Sequence, residues 1–374
     1  MVRASCTLPT PSRKPNLFPV LDAHINAVSA RVPRHEVHGL FDGFVRRLVT
    51  DRRKTLVDRM LKRSGVERRY SVLEPLPEGS NAHALDVEGN FAFGSFPSTG
   101  ARMRLYDREA AGLAEETVRS LDGVDVAQTT HLIVTSCTGF AAPGVDLQLL
   151  RRLGLPLTTQ RTLVGFMGCY AAISALRLAR SIVLSEPGAK VLVVAVELCT
   201  LHIQETDDLE VILSFSIFGD GCAAAFVSAE PRGLRLDGFG TAVMPAAEDL
   251  ITWHVGDLGF DMRLSGEVPA TLGEALPGAV DQLVRGGPRA VDLWAIHPGG
   301  RSVLDAAERA LHLPGDALDP SRTVLRDYGN MSSPSVLFVL AEMMRRVPGS
   351  GARGLAMAFG PGLTAEGMRF SAVS

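Results

Sequence analysis

Three residues of different types, each set at a break in the chain's periodic pattern, could share one reaction. Cys169 follows Gly165-Phe-Met-Gly168 and opens an amphipathic helical stretch, so its sulfur is expected at a helix N-terminus. Unpaired N–H groups and the helix dipole there favour thiolate over thiol. His297 ends an apolar run and is followed by Pro298-Gly299-Gly300, which cannot continue as strand and turns the ring toward a cleft. Asn330 sits in Arg326-Asp-Tyr-Gly-Asn-Met-Ser-Ser333, just before another helical pattern. Singly, each has a plain reading: a small buried hydrophobe, a turn histidine, a helix cap. Jointly they suit chemistry on a thioester. A thiolate attacks an acyl thioester, and an imidazole pairs with it to lower its pKa. Imidazole and amide N–H groups then stabilise an enolate and a condensation oxyanion, where an Asp would repel the developing charge.

The elements expected to hold these residues alternate between strand and helix. A loose arm and a short helix fill residues 1 to about 35. A basic helix runs from Val45 to Gly65, and residues 75 to 99 are loop-like. Leu105, Ala110, Leu113, Ala114, Val118 and Leu121 form a helical stripe. Strands are expected at 131–135, 162–166, 190–196 and 222–228, with helices at 145–153 and 170–184. A similar order returns after residue 235: helix 276–285, strand 292–296, helices 303–311 and 335–346, and strand 354–358. Alternating strands and helices imply α/β layers. Two successive passes of strand, reactive turn and helix suggest duplication, with halves at 1–235 and 236–374.

Bulk composition narrows the classes. The chain has 374 residues, 46% hydrophobic and 21% charged, with a net charge of −3, which gives no electrostatic footprint for nucleic acid. The first twenty residues lack an apolar core segment, and no apolar run is long enough to span a bilayer. Cys6, Cys137, Cys169, Cys199 and Cys222 are odd in number and scattered, without C-x-x-C, and the histidines lack metal-ligand spacing. The expectation is a cytoplasmic protein with neither metal site nor disulfide framework. A Cys-His-Asn order also occurs in papain-like proteases. Those carry an aromatic after a C-G-x-C context and usually disulfides, whereas Cys169 precedes Tyr-Ala-Ala.

Five segments in the same order resemble the chalcone synthase (type III polyketide synthase) family: Val164-Gly-Phe-Met-Gly-Cys169, Phe218-Gly-Asp-Gly221, Ala295-Ile-His-Pro-Gly-Gly300, Tyr328-Gly-Asn-Met-Ser-Ser333 and Phe359-Gly-Pro-Gly-Leu-Thr364. A looser likeness extends from Leu56 through Phe370. The resemblance implies a duplicated, thiolase-like five-layer αβαβα fold and a homodimer. It implies iterative decarboxylative condensation of malonyl-CoA onto an acyl-CoA starter. Cys169 would be the nucleophile, and His297 and Asn330 would drive decarboxylation. Phe218 would line the cavity mouth, and Phe359, Gly360, Pro361 and Gly362 would scaffold its wall. Arg59 and Arg63 fall where the family holds CoA phosphates, and Arg301 is a further candidate. CoA thioesters would be substrates, with no bound cofactor.

Departures from the plant pattern bear on product. Leu56 replaces a phosphate-binding lysine, leaving Lys54 or Arg52 to substitute. Met262 replaces the second gating Phe. Cys137 and Cys199 replace cavity threonines, as a cysteine does at the first position in several bacterial relatives. Ala142 stands where plant enzymes project a Met into the partner's site. A pocket tolerant of an aliphatic starter, and an alkylpyrone or alkylresorcinol-type product, follow as expectations. The nearest rival is a ketoacyl synthase of the initiating kind, which shows His-Gln-Ala-Asn and Gly-Asn-Thr-Ser at the corresponding places. A non-catalytic protein of the same fold would need none of the three residue types.

Overall fold

The fold, from a computed structural model, is described for residues 21–77, 83–284, 287–346 and 351–373. It opens on strand β1 (His24–Arg31), where a short helix was expected; the arm's first twenty residues lie outside the described residues. Ile25 and Ala27 are buried there, and the strand pairs along its length with a later one, so sheet partners override local preference. A two-residue strand β2 (His35–Glu36) leads into α1 (His38–Leu48) and α2 (Asp51–Arg63). The single basic helix expected over 45–65 is thus the end of one helix and all of another. On α2 only Val57 and Leu61 are buried, and its basic residues face out. After β3 (Tyr70–Ser71) and the expected loop comes α3 (Thr99–Arg119), capped by the Ser98 side chain. Then follow β4 (His131–Ser136), α4 (Val145–Arg152), β5 (Gln160–Gly165), α5 (Ala171–Ser185), β6 (Val191–Leu198), α6 (Leu209–Phe215) and β7 (Asp220–Ser228).

The second part runs β8 (Gly233–Val243), the hairpin β9 (Ile251–Gly256) and β10 (Gly259–Leu264), α7 (Val268–Leu283), β11 (Leu293–Ile296), α8 (Arg301–Leu311), α9 (Asp319–Tyr328), α10 (Pro334–Arg346), β12 (Arg353–Gly360) and β13 (Thr364–Val373). Helix α7 starts eight residues before the expected 276, with a Pro in its first turn where the missing N–H costs nothing, and continues through Pro277.

Nine strands hydrogen-bond in the order β11-β12-β13-β8-β1-β7-β6-β4-β5. Between β1 and β8 only His24–Arg235 and Ile25–Leu234 pair, so the sheet divides there into two parts. Side-chain alternation shows what covers each face. On β4, Ile133 packs with α5 and α10, while Leu132 and Val134 pack with α3 and α4. On β12, Ala356 and Ala358 join the α5–α10 layer, while Leu355 and Met357 meet α7 and α8. The layers are therefore α3/α4, sheet, α5/α10, sheet, α7/α8. Strands buried on both faces explain runs as continuous as Val191 to Val196.

The two parts repeat one plan. An outer helix, a strand and another helix lead to a central helix, which returns into a parallel strand and then an antiparallel one. Cys137, just after β4, therefore corresponds to His297, just after β11. Cys169, before α5, corresponds to Asn330, before α10. The pseudo-symmetric pairing brings four residues distant in sequence to one place.

Candidate active site

Cys169 lies in a 3-10 turn, Gly168–Tyr170, that runs straight into α5. Gly168 has φ +67, and a Cβ there would come within 2.3 Å of Pro361 Cδ, so a glycine is required. The turn and the Phe359–Gly362 loop are thus in direct contact. Gly360 is crowded too: its Cβ position is 2.7 Å from the Tyr170 ring.

Two adjoining cavities share Cys169, Phe218, Ile251 and Met262. The first, about 360 Å³ including its opening to solvent, adds His297, Asn330, Phe359 and Gly360. The second, about 330 Å³ including its opening, adds Cys137, Trp253, Ser332 and Pro361. The structure therefore brings Cys169, His297 and Asn330 onto one apolar hollow. Gly362 lines neither cavity and instead takes the positive φ, +72, that lets the loop turn. Cys199 also lines neither; it packs among buried apolar residues beside Phe218.

The electrostatics run against the expected thiolate. Burial pushes the Cys169 thiol up to about 12, against smaller opposing contributions from Ser332 and Asn330. Burial also drives His297 down to about 3. Neither ring nitrogen of His297 has a partner among the described residues, so no imidazolium pairs with a thiolate. Both directions favour a neutral thiol and a neutral imidazole in the free site. The Gly168 N–H donates to Cys137 Sγ at 3.0 Å.

Asn330 is oriented by its own turn. Its Oδ1 accepts the Ser332 N–H at 2.8 Å, and a backbone N–H can only donate, so the amide nitrogen is the end left to face the cavity. Ser332 at φ 60 and Gly329 at φ 74 shape this turn. Phe218 is locked to it: Asn330 N donates to Ile217 O at 2.8 Å, and Gly219 N donates to Asn330 O at 3.0 Å. Backbone bonds fix His297 too, its N–H donating to Met357 O at 2.8 Å.

The basic candidates lie elsewhere. Arg59 and Arg63 are exposed, four residues apart and so on one face of α2. Arg301 N donates to Ser64 O at 3.4 Å, which puts Arg301 beside the C-terminal end of α2, its side chain 57% exposed. Lys54 is ion-paired with Asp51 at 2.7 Å, Arg52 is exposed, and Leu56 projects apolar surface from the same helix.

Sequence reasoning missed Glu197. It is fully buried at the end of β6, and its carboxylate accepts from Cys137 N at 2.9 Å, Thr138 Oγ1 at 2.7 Å and Ser333 Oγ at 2.7 Å. One side chain thus ties the turn after β4 to the turn after Asn330, and burial raises it to about 7. A lone acid closing an otherwise apolar strand was the available signal. Trp253 was also missed; its indole N–H donates to Cys137 O at 2.9 Å and pins the β9–β10 hairpin, with Met262, to the cavity wall. Among the described residues, no three His, Cys, Asp or Glu side chains gather as a metal ion would need. No helix among them is long and apolar enough to cross a membrane.

Comparisons with known proteins identify the family. The family models for chalcone and stilbene synthases match over most of the chain, the N-terminal domain at residues 22–231 and the C-terminal domain at 239–374. The alpha-pyrone synthesis polyketide synthase-like Pks18 of Mycobacterium tuberculosis is 36% identical over 287 residues, 73% of each chain. Bisdemethoxycurcumin synthase of Oryza sativa subsp. japonica is 33% identical over 339 residues, 84% of this chain and 83% of the rice protein. Among solved structures, PKS-I of the brown alga Ectocarpus siliculosus superposes with a TM-score of 0.85 at 28% identity, covering 96% of this chain and 100% of the algal one. The C-terminal type III polyketide synthase domain of Steely1 from Dictyostelium gives 0.84 at 26% identity, covering 94% and 100%. With both halves matched, a thiolase-like fold and relatives above 30% identity over most of its length, the chain belongs to the chalcone and stilbene synthases, the acyltransferases known as type III polyketide synthases.

Proposed function

We propose that the protein loads an acyl group from a starter acyl-CoA onto Cys169 and extends it with malonyl-CoA to an alkylpyrone or alkylresorcinol-type product. The observation that carries this reading is the single apolar cavity lined by Cys169, His297 and Asn330. Because the resting pair is neutral, the Cys169 proton passes to His297 as Sγ attacks the starter carbonyl, and CoA leaves as its thiol. Malonyl-CoA then loses CO₂, and its thioester enolate is held by N–H donors of His297 and of the Asn330 amide. The enolate carbon attacks the Cys169 thioester and expels the sulfur, leaving a β-ketoacyl-CoA two carbons longer. Its return to Cys169 starts another round, and cyclisation releases the product.

Arg59, Arg63 and Arg301 supply positive charge for the CoA phosphates beside the end of α2. CoA thioesters serve as substrates, and the scheme needs no metal or bound cofactor. Phe218, Met262, Cys137 and the Phe359–Gly362 loop shape the space for the growing chain, with Cys199 packed behind. A homodimer is part of this reading, and support for it comes from β5, an edge strand whose residues Gln160 to Leu163 are exposed, with Leu163 at 47% and Phe140 at 40% beside it. Pyrone formation is favoured because the mycobacterial relative carries that activity in its name.

Mass spectrometry of products from a panel of acyl-CoA starters with malonyl-CoA tests the reading. Alkylpyrones or alkylresorcinols from aliphatic starters support it. Turnover only with malonyl carried on acyl carrier protein, and none with malonyl-CoA, would contradict it.

A further inference from the structure

The backbone that carries Phe218 is held from below by one buried cation. Arg69, at 0% exposure, donates from Nη1 to Phe215 O, with Phe218 O at 3.5 Å from the same nitrogen. Its other donors reach α1: Nη2 to Asp42 Oδ1 at 3.0 Å, and Nε to His38 Nδ1 at 3.2 Å. Its stem lies against the turn before Asn330, where Cγ is 3.1 Å from the position of a Cβ on Gly329. Phe218 and Asn330 form a parallel bridge with each other, so Arg69 touches both sides of that clamp. Helix α1 packs in turn on α2 through Val45, Val49, Val57 and Leu61, and α2 carries Arg59 and Arg63.

Stability alone is a poor explanation for such a group. Desolvation makes the buried charge costly, lowering its pKa to about 10, and packed apolar residues in place of a buried ion pair are often at least as stable. What a planar guanidinium does that an apolar side chain cannot is bind several acceptors in fixed directions.

We propose that Arg69 is a positioning residue that sets Phe218 and Asn330 against each other and ties them to the α1–α2 pair. This rests on the reading that Phe218 and Asn330 face the reacting chain. A loss of register of an ångström at Asn330 is enough to slow decarboxylation without weakening CoA binding.

The test separates positioning from mere stability. Arg69→Met strands the Asp42 carboxylate and lowers Tm, whereas Arg69→Met with Asp42→Leu removes both charges and restores it. With Tm restored, kcat for malonyl-CoA decarboxylation is expected to fall about tenfold or more while KM stays within about twofold. The product profile should shift toward altered chain lengths. Arg69→Lys keeps the charge beside Asp42 and folds independently of the double variant. Its single ammonium cannot hold the fork of contacts, so the same split between kcat and KM is expected. Wild-type kcat and products in either folded variant, or a raised KM with kcat unchanged, would overturn the proposal. Asn330→Ala, assayed alongside, tests the underlying reading separately: full decarboxylation there would remove the site assignment itself.

Discussion

The Cys137 sulfur accepts the N–H of Gly168 at 3.0 Å, directly before the nucleophile candidate. This contact gives Cys137 a definite place in the wall of the second cavity. Burial, the largest influence on Cys169 beside it, pushes that thiol up and favours the protonated form in the free protein. The deprotonation step therefore belongs to the encounter with substrate.

Alkylation kinetics follow from this. With the thiol at about 12, only on the order of one Cys169 in ten thousand is thiolate at pH 8, so iodoacetamide labels it slowly. The rate should climb about tenfold per pH unit between pH 7 and 10 without levelling. Peptide mapping of the labelled residue against pH checks this; a plateau near pH 6 or 7 would show a pre-formed thiolate.

Gly168→Ala should damage both stability and turnover. The positive φ alone costs an alanine about 1–2 kcal/mol, and the Pro361 ring 2.3 Å from the new Cβ adds to it. A lowered Tm together with a lowered kcat is expected. A substitution that changes neither would mean the turn and the Phe359–Gly362 loop are not in contact.

Asn330→Asp keeps an oxygen to accept the Ser332 N–H but replaces the amide nitrogen by a second oxygen. Enolate stabilisation becomes repulsion, and decarboxylation of malonyl-CoA should drop on the order of a hundredfold to a thousandfold with Tm little changed. Direct measurement of CO₂ release reads this without needing the final product.

Glu197 predicts a pH signature in stability. Its folded-state pKa, raised from 4.5 to about 7, means that the native protein holds the proton more tightly than the unfolded chain. Stability from this group is therefore complete below about pH 4.5 and is lost as pH rises through about 7, to the extent of about 3 kcal/mol. Glu197→Gln lacks that slope. Denaturant unfolding at pH 5 and pH 8 should show the variant gaining on the wild type as pH rises; parallel pH dependences would contradict the burial argument.

The sequence disclosed the site through short turns, because a nucleophile, a strand-ending histidine and a turn asparagine each leave a local pattern. Buried strands such as Val191–Leu198 and the central helix after Cys169 were equally legible, since burial on two faces writes continuous apolar runs. What escaped notice depends on partners far along the chain. Strand β1 became a strand only through β7 and β8, and the β9–β10 strands carry Thr252, His254, Asp261 and Arg263 among their apolar residues because one side faces solvent. Arg69 looks like an ordinary surface charge in sequence and Glu197 shows only as a lone acid closing an apolar strand, and tertiary contacts reveal both as buried ties. The pull of burial on Cys169 is hidden in sequence for the same reason: helix position is local, whereas desolvation is set by the whole cavity.

The most direct test of the central claim is peptide mass spectrometry after incubation with a starter acyl-CoA and no malonyl-CoA. The account predicts one acyl adduct, on the peptide containing Cys169, absent from Cys169→Ala, together with loss of product formation in that variant. An adduct on Cys137 or Cys199 instead, or undiminished product from Cys169→Ala, would contradict it.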